Sequence, residues 1–112
     1  MRVPRLNRRL TLESPSRAAD GAGGFHEAWT PLGVLWAEVK ARTGRETQVA
    51  TAPVSLVPYT ITVRGAPVGH PERPVPEQRF RDGGRVFHIR SVAEADVDGK
   101  YLVCLSDEEV AI

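Results

Sequence analysis

The sequence predicts an all-β protein, a small antiparallel β-barrel or sandwich of six to seven strands with a long projecting loop. Three observations carry this. Apolar and polar residues alternate with period two along much of the chain. No stretch keeps a helical period beyond about two turns. Ten Gly and nine Pro divide the 112 residues into short pieces, and the Asp-Gly pairs at 82–83 and 98–99 mark tight turns.

The first strand is expected over about residues 5–14. Leu6, Leu10 and Leu12 share one face, interrupted by Arg8, while Asn7, Arg9, Thr11 and Glu13 face outward. Pro15 ends it. Asp20-Gly21-Ala22-Gly23-Gly24 is a turn rich in residues that accept positive φ. Phe25 to Trp29 reads as a returning strand that Pro31 and Gly33 break or bulge. Val34-Leu35-Trp36-Ala37-Glu38-Val39 is apolar on both faces, as a central strand is, and places Trp29 and Trp36 in the core.

Residues 41–53 lack alternation and form the long loop, with room for a short helix around Glu46–Ala50. Tyr59, Ile61 and Val63 then face the core, with Thr60, Thr62 and Arg64 outside. Residues 65–77 hold Gly65, Pro67, Gly69, Pro71, Pro74 and Pro76 and are irregular. Gln78–Arg81 is a short strand, Asp82-Gly83-Gly84 a hairpin turn, and Arg85–Val92 a strand with Phe87 and Ile89 on one face. After Asp98-Gly99, residues 100–106 form the last strand. The whole chain, 1–112, reads as one domain.

Charge sharpens the picture. The net charge is +1, so no bulk field recruits nucleic acid or an anionic membrane. The distribution is polar, however. Residues 1–17 carry Arg2, Arg5, Arg8, Arg9 and Arg17 against Glu13, a balance of +4. Residues 94–112 carry Glu94, Asp96, Asp98, Asp107, Glu108 and Glu109 against Lys100, a balance of −5. No apolar run approaches the roughly 20 residues of a membrane helix, and no apolar stretch follows the basic N-terminus as in a signal peptide.

Catalytic and metal-binding patterns are missing from the sequence. His26, His70 and His88 are scattered, and the single Cys104 sits between Val103 and Leu105 as a small hydrophobe would. Glu108-Glu109 and Asp96/Asp98 flank a terminus or a turn and read as a solvated face. Gly21–Gly24 lies between two strands and lacks the strand–turn–helix setting of a phosphate loop. No enzyme, cofactor or metal is expected. An oligonucleotide-binding barrel interleaves exposed aromatics with basic residues. The seven aromatics here fall mostly at core-facing positions, so that reading ranks behind.

An ordered set of segments resembles the head–tail joining proteins (head-closure, stopper or connector proteins) of tailed phages and gene transfer agents. The set is Leu10-Thr11-Leu12-Glu13, the Asp20–Gly24 turn, Trp29, Trp36-Ala37-Glu38-Val39, Gly44-Arg45-Glu46, Tyr59-Thr60-Ile61-Thr62-Val63-Arg64, Arg79-Phe80, Gly84–Ile89 and Tyr101–Leu105. It spans almost the whole chain, with a Pro-rich 65–77 segment longer than the pattern leads one to expect.

The resemblance implies a β-barrel subunit made in the bacterial cytoplasm and built into the neck of a virion or phage-like particle. There a homo-oligomeric ring of six or twelve copies joins the portal or adaptor to the tail and helps retain and pass double-stranded DNA. A tail-terminator or tail-completion ring of the same particle is the alternative. The resemblance also implies a loop in the ring lumen. By position this is 41–53, whose 13 residues reach at most about 20 Å. Lys40, Arg42, Arg45 and Glu46 are then the expected lumen-facing, DNA-near residues. Arg2, Arg5, Arg8 and Arg9 and the acidic Asp107, Glu108 and Glu109 are the expected contacts with neighbouring ring proteins.

Overall fold

A computed structural model of the chain describes residues 2–42, 47–48 and 54–111. Seven strands follow in order: β1 (Arg8–Ala19), β2 (Phe25–Ala41), β3 (Thr47–Gln48), β4 (Val54–Arg64), β5 (Arg79–Asp82), β6 (Arg85–Glu94) and β7 (Tyr101–Ala111). Every pairing is antiparallel. Six strands run β2-β1-β5-β6-β7-β4, and β2 pairs back onto β4, so the sheet closes into a ring. The short β3 lies on β4 at Leu56 and Ser55, beyond the stretch that β2 occupies. The expected all-β architecture holds.

Alternation explains the core. Leu10 and Leu12 of β1, Ala37 of β2, Ile61 and Val63 of β4, Phe80 of β5, Phe87 and Ile89 of β6, and Leu102 and Cys104 of β7 all point inside and are buried. Phe80 and Phe87 stand opposite each other in the β5–β6 hairpin. That hairpin turns through Gly83 and Gly84, with Gly83 at φ 59°, a conformation glycine adopts without penalty.

Several boundaries differ from the sequence reading. β1 does not stop at Pro15, and β2 is one strand through Pro31 and Gly33. β5 covers β1 only as far as Glu13, and β4 covers β2 only from Ala37 onward. Beyond those points β1 and β2 pair only with each other, so each proline sits where one strand edge has no ladder to interrupt. The register shifts between Leu12 and Glu13, which oppose Gly33 and Pro31, leaving Leu32 as the extra residue of a bulge. The result is a two-stranded arm, Ser14–Ala19 against Phe25–Thr30, extending from the closed sheet. Its Asp20–Gly24 turn is tied by the Asp20 carboxylate, which accepts from the backbone N–H groups of Ala22 and Gly24 at 2.8 and 3.1 Å.

β4 starts at Val54 rather than near Tyr59, and β7 runs to Ala111 rather than stopping at Ser106. The two pair along their full lengths. The charged run Asp107-Glu108-Glu109 is therefore strand, not tail. Instead of a helix, Thr47–Gln48 is extended, and Arg45, Glu46 and the rest of the expected helix lie outside the described residues. Trp36 is 53% exposed, not core, because it points away from the closed sheet's interior, to which its neighbour Ala37 is turned. The 65–77 segment contains no strand, as expected.

The basic first strand and the acidic last strand are not neighbours. Around the closed ring, β1 and β7 are three steps apart in either direction. Their charges therefore find other partners.

Candidate assembly surfaces

Arg2, on the leading segment, donates to both oxygens of Glu38 at 3.0 and 2.9 Å, and the Arg5 backbone N–H donates to the same carboxylate at 2.9 Å. This clamps the N-terminal segment onto β2. The Arg2 guanidinium, with the Arg5 N–H, holds the Glu38 carboxyl below its ordinary range. Arg8 pairs with Asp82 at 2.7 Å. Arg9 stands over the Trp36 ring at 5.9 Å, opposite it in the β1–β2 ladder.

The residues expected at the lumen and those expected at the acidic interface meet. Lys40 is exposed near the end of β2. Arg42 follows it, donates its backbone N–H to the Pro58 carbonyl at 3.0 Å, and brings its guanidinium 3.9 Å from Asp107. Asp107 also accepts from Arg90 at 3.0 Å. Arg42, just past the end of β2, thus meets Asp107 of β7 and Arg90 of β6 in one charged corner. Glu109 is exposed on the same strand.

Glu108 points the other way. It is buried and takes a forked pair of bonds from Arg85 at 2.7 and 3.0 Å. Arg85 also donates to the Tyr59 hydroxyl at 3.1 Å and lies 4.9 Å over Phe87. Tyr59 meets Phe87 edge-on, with ring centroids 5.1 Å apart. The Glu108 bonds raise the Arg85 pKa further. This cluster joins β4, β6 and β7, and Glu108 is committed inside the subunit.

Sequence reasoning missed a second buried carboxylate. Glu13 faces outward, as expected, yet is only 3% exposed. Arg79 and Arg81 donate to its two oxygens at 2.7 and 2.9 Å. Burial pushes its carboxyl up, but the two guanidinium bonds outweigh this and hold it below the ordinary value. Arg79 in turn stacks 4.0 Å over Trp29, which meets His88 edge-on at 6.4 Å. Burial first, then Arg90 and Arg79, lower the His88 pKa. Arg79 and Arg81, two residues apart on β5, were the available signal, but strand partners are needed to read it.

Among the described residues no three His, Cys, Asp or Glu groups come together as metal ligands. Burial pushes the Cys104 thiol up to about 12, so it stays protonated and unreactive near neutral pH. Among the described residues no helix is long and apolar enough to cross a membrane. What remains on the surface is charge, exposed aromatic groups and strand edges, the materials of protein–protein contact.

Comparison with known proteins agrees. The solution structure of protein SF1141 from Shigella flexneri 2a shares the fold, with a TM-score of 0.66 at 22% identity over 96% of each chain. A chain from the virion of a native gene transfer agent (GTA) particle is 52% identical and superimposes with a TM-score of 0.86, covering 98% of this chain and 100% of that one. No curated protein matches. The family model for phage head completion proteins matches residues 1–109, and the chain belongs to that family.

Proposed function

We propose that this protein is a head–tail connector subunit in the neck of a phage-like particle, closing the filled head and giving the tail its docking surface. One observation carries the reading: 52% identity, across nearly all of both chains, to a component of a gene transfer agent virion. The described residues add a scaffold whose buried side-chain polar atoms all have hydrogen-bond partners.

In this reading the subunits form a ring of six or twelve copies. The 41–53 loop begins at the corner where Arg42 meets Asp107, and Lys40, Arg42, Arg45 and Glu46 face the lumen and the passing DNA. Glu46 offsets part of the positive charge, which suits a channel through which DNA must slide. Arg2, Arg5, Arg8 and Arg9, together with Asp107 and Glu109, face neighbouring ring proteins. Glu108, held by Arg85, acts by keeping β7 in place.

Deleting the gene tests the role. Electron microscopy of the lysate is expected to find heads without tails, and a tagged chain is expected at the neck of complete particles. Normal tailed particles without the chain sink the proposal, and a tag at the first tail ring makes it a tail terminator instead. For the loop, Arg42→Ala/Arg45→Ala particles should lose DNA before delivery; normal retention and delivery remove the lumen role.

A further inference from the structure

The two-stranded arm leaves both of its edges open. β5 covers β1 only as far as Glu13, and β4 covers β2 only from Ala37 onward. Among the described residues, Ser14–Ala19 and Phe25–Thr30 therefore pair with each other and with no third strand. A ribbon of two strands is marginally stable in water, and an unpaired strand edge is a template for another strand. The arm is also well exposed. Pro15, Arg17, Ala19 and Glu27 lie open to solvent, and Phe25 is 62% exposed.

Register decides what the edges offer. Facing residues of an antiparallel pair alternate between pairs that exchange backbone hydrogen bonds and pairs that exchange none. Pro15 stands opposite Trp29 and has no N–H to give, so theirs is a pair without bonds, and Arg17–Glu27 and Ala19–Phe25 follow at period two. The Asp20 N–H, one step further, donates to the Gly24 carbonyl at 3.1 Å, which fits this alternation. The N–H and C=O groups of Arg17 and Ala19 thus point out of one edge, and those of Phe25, Glu27 and Trp29 out of the other. Arg17 and Glu27 share a level and a face of the arm, and neither makes an ion pair among the described residues.

We propose that the arm is the contact between copies of this chain, the β2 edge of one arm pairing antiparallel with the β1 edge of the next. Arms standing side by side in a ring meet at one height. Glu27 of one copy then faces Arg17 of its neighbour, and the exposed Phe25 ring comes to rest on the neighbour's Ala19. Charge also selects this order. Two β2 edges meeting around Glu27, or two β1 edges around Arg17, set like charges opposite each other. Joining unlike edges is a head-to-tail contact, which repeats from copy to copy as a closed ring requires. The inference rests on the connector reading above and names the surface that builds its ring.

The test is complementation between two altered chains in particle-producing cells that lack the unaltered one. Arg17→Glu chains and Glu27→Arg chains each set like charges at every junction, and each alone is expected to lower the yield of tailed particles about tenfold. Produced together they can alternate around a ring of six or twelve, making every junction opposite in charge, and the yield should return to within about threefold of normal. Within each altered arm the facing pair stays like-charged, so an effect confined to the arm itself is not rescued by mixing. In parallel, particles containing both Ala18→Cys and His26→Cys chains, mildly oxidised, should give a disulfide-linked dimer on a non-reducing gel. Neither variant alone should give one, since Cys104 is buried. Thermal melting of each isolated variant checks that it folds. Normal yield from either charge variant alone, or no rescue by mixing folded variants together with no cross-link, overturns the arm contact; a tag still found at the neck then leaves the connector role standing. Absence of the unaltered chain from particles defeats the connector role and the contact with it.

Discussion

Glu13 sits on the outer side of a strand, yet two guanidinium groups cover it so completely that it is 3% exposed. A buried carboxylate is tolerated when its oxygens are paired, and removing one partner of such a group leaves the others without their counter-charge. Glu13→Gln keeps the shape and removes the charge, so Arg79 and Arg81 become two like charges side by side. Because both arginines retain some solvent, with side chains 19% and 43% exposed, the cost falls below that of a fully buried pair. We expect about 2 kcal/mol of lost stability in urea unfolding. Glu109→Gln, at an exposed position on β7, should change stability by no more than about 0.5 kcal/mol. Equal effects at the two positions would contradict the assignment. The same residue marks a limit of sequence reading. That Glu13 faces outward follows from alternation along β1; that it is buried depends on β5, which is 66 residues away in the chain and donates from both sides. Trp36 is the converse case, because an apolar residue in an apolar run is core only if another layer covers it.

The arm formed by β1 and β2 depends on its bulge. Leu32 is extra, and Gly33 beside it adopts φ 155°, where residues with a side chain are rarely found. No heavy atom lies within 4 Å of a Cβ built there, so strain rather than a clash sets the effect of substitution. Gly33→Ala is expected to cost about 1–2 kcal/mol and to loosen the arm selectively, with faster amide exchange in 14–30 than in β6 and β7. Gly84→Ala also has open space and lacks a positive φ, so it should be close to neutral. An equal loss at both would remove the bulge as the cause. At this scale much was legible. The strand centres around Leu10, Ile61, Phe87 and Leu102 follow from alternation, and the β5–β6 turn from Asp-Gly-Gly. The ends were not, because strand ends are set by partners. Pro15 and Pro31 stop a strand only where a neighbour needs their N–H, and Asp107–Glu109 continue one because β4 is there to pair with. The corner of Arg42, Asp107 and Arg90 was equally hidden, since residues from three separate parts of the chain build it.

Over the whole molecule the charges are arranged so that pH acts through a few groups rather than through the net charge of +1. Among the described residues three carboxyls are held below their ordinary values: Glu13 by Arg79 and Arg81 against its burial, Glu38 by Arg2 and the Arg5 N–H, and Asp20 by the N–H groups of Ala22 and Gly24. His88 is lowered as well, by burial first. A group with a depressed pKa binds its proton less readily folded than unfolded, so it contributes stability above the unfolded value and loses it as pH falls through the folded one. Cys104 works in the other direction. Its thiol is raised from 9.0 to about 12, so its contribution is complete below 9.0 and fades as pH climbs toward 12. These directions define a plateau of stability from about pH 6.5 to about pH 9, bounded by the ordinary values of His and Cys. Below it the urea midpoint should fall in two stages, first as His88 takes up a proton and then more steeply below about pH 4.5 as the three carboxyls do. His88→Asn should remove the first stage and leave the second, while Cys104→Ala should flatten the alkaline side at the cost of a small cavity. A midpoint that holds steady from pH 7 down to pH 5 in the unaltered protein, or an alkaline decline that survives Cys104→Ala, would show that other groups set the limits of the closed sheet.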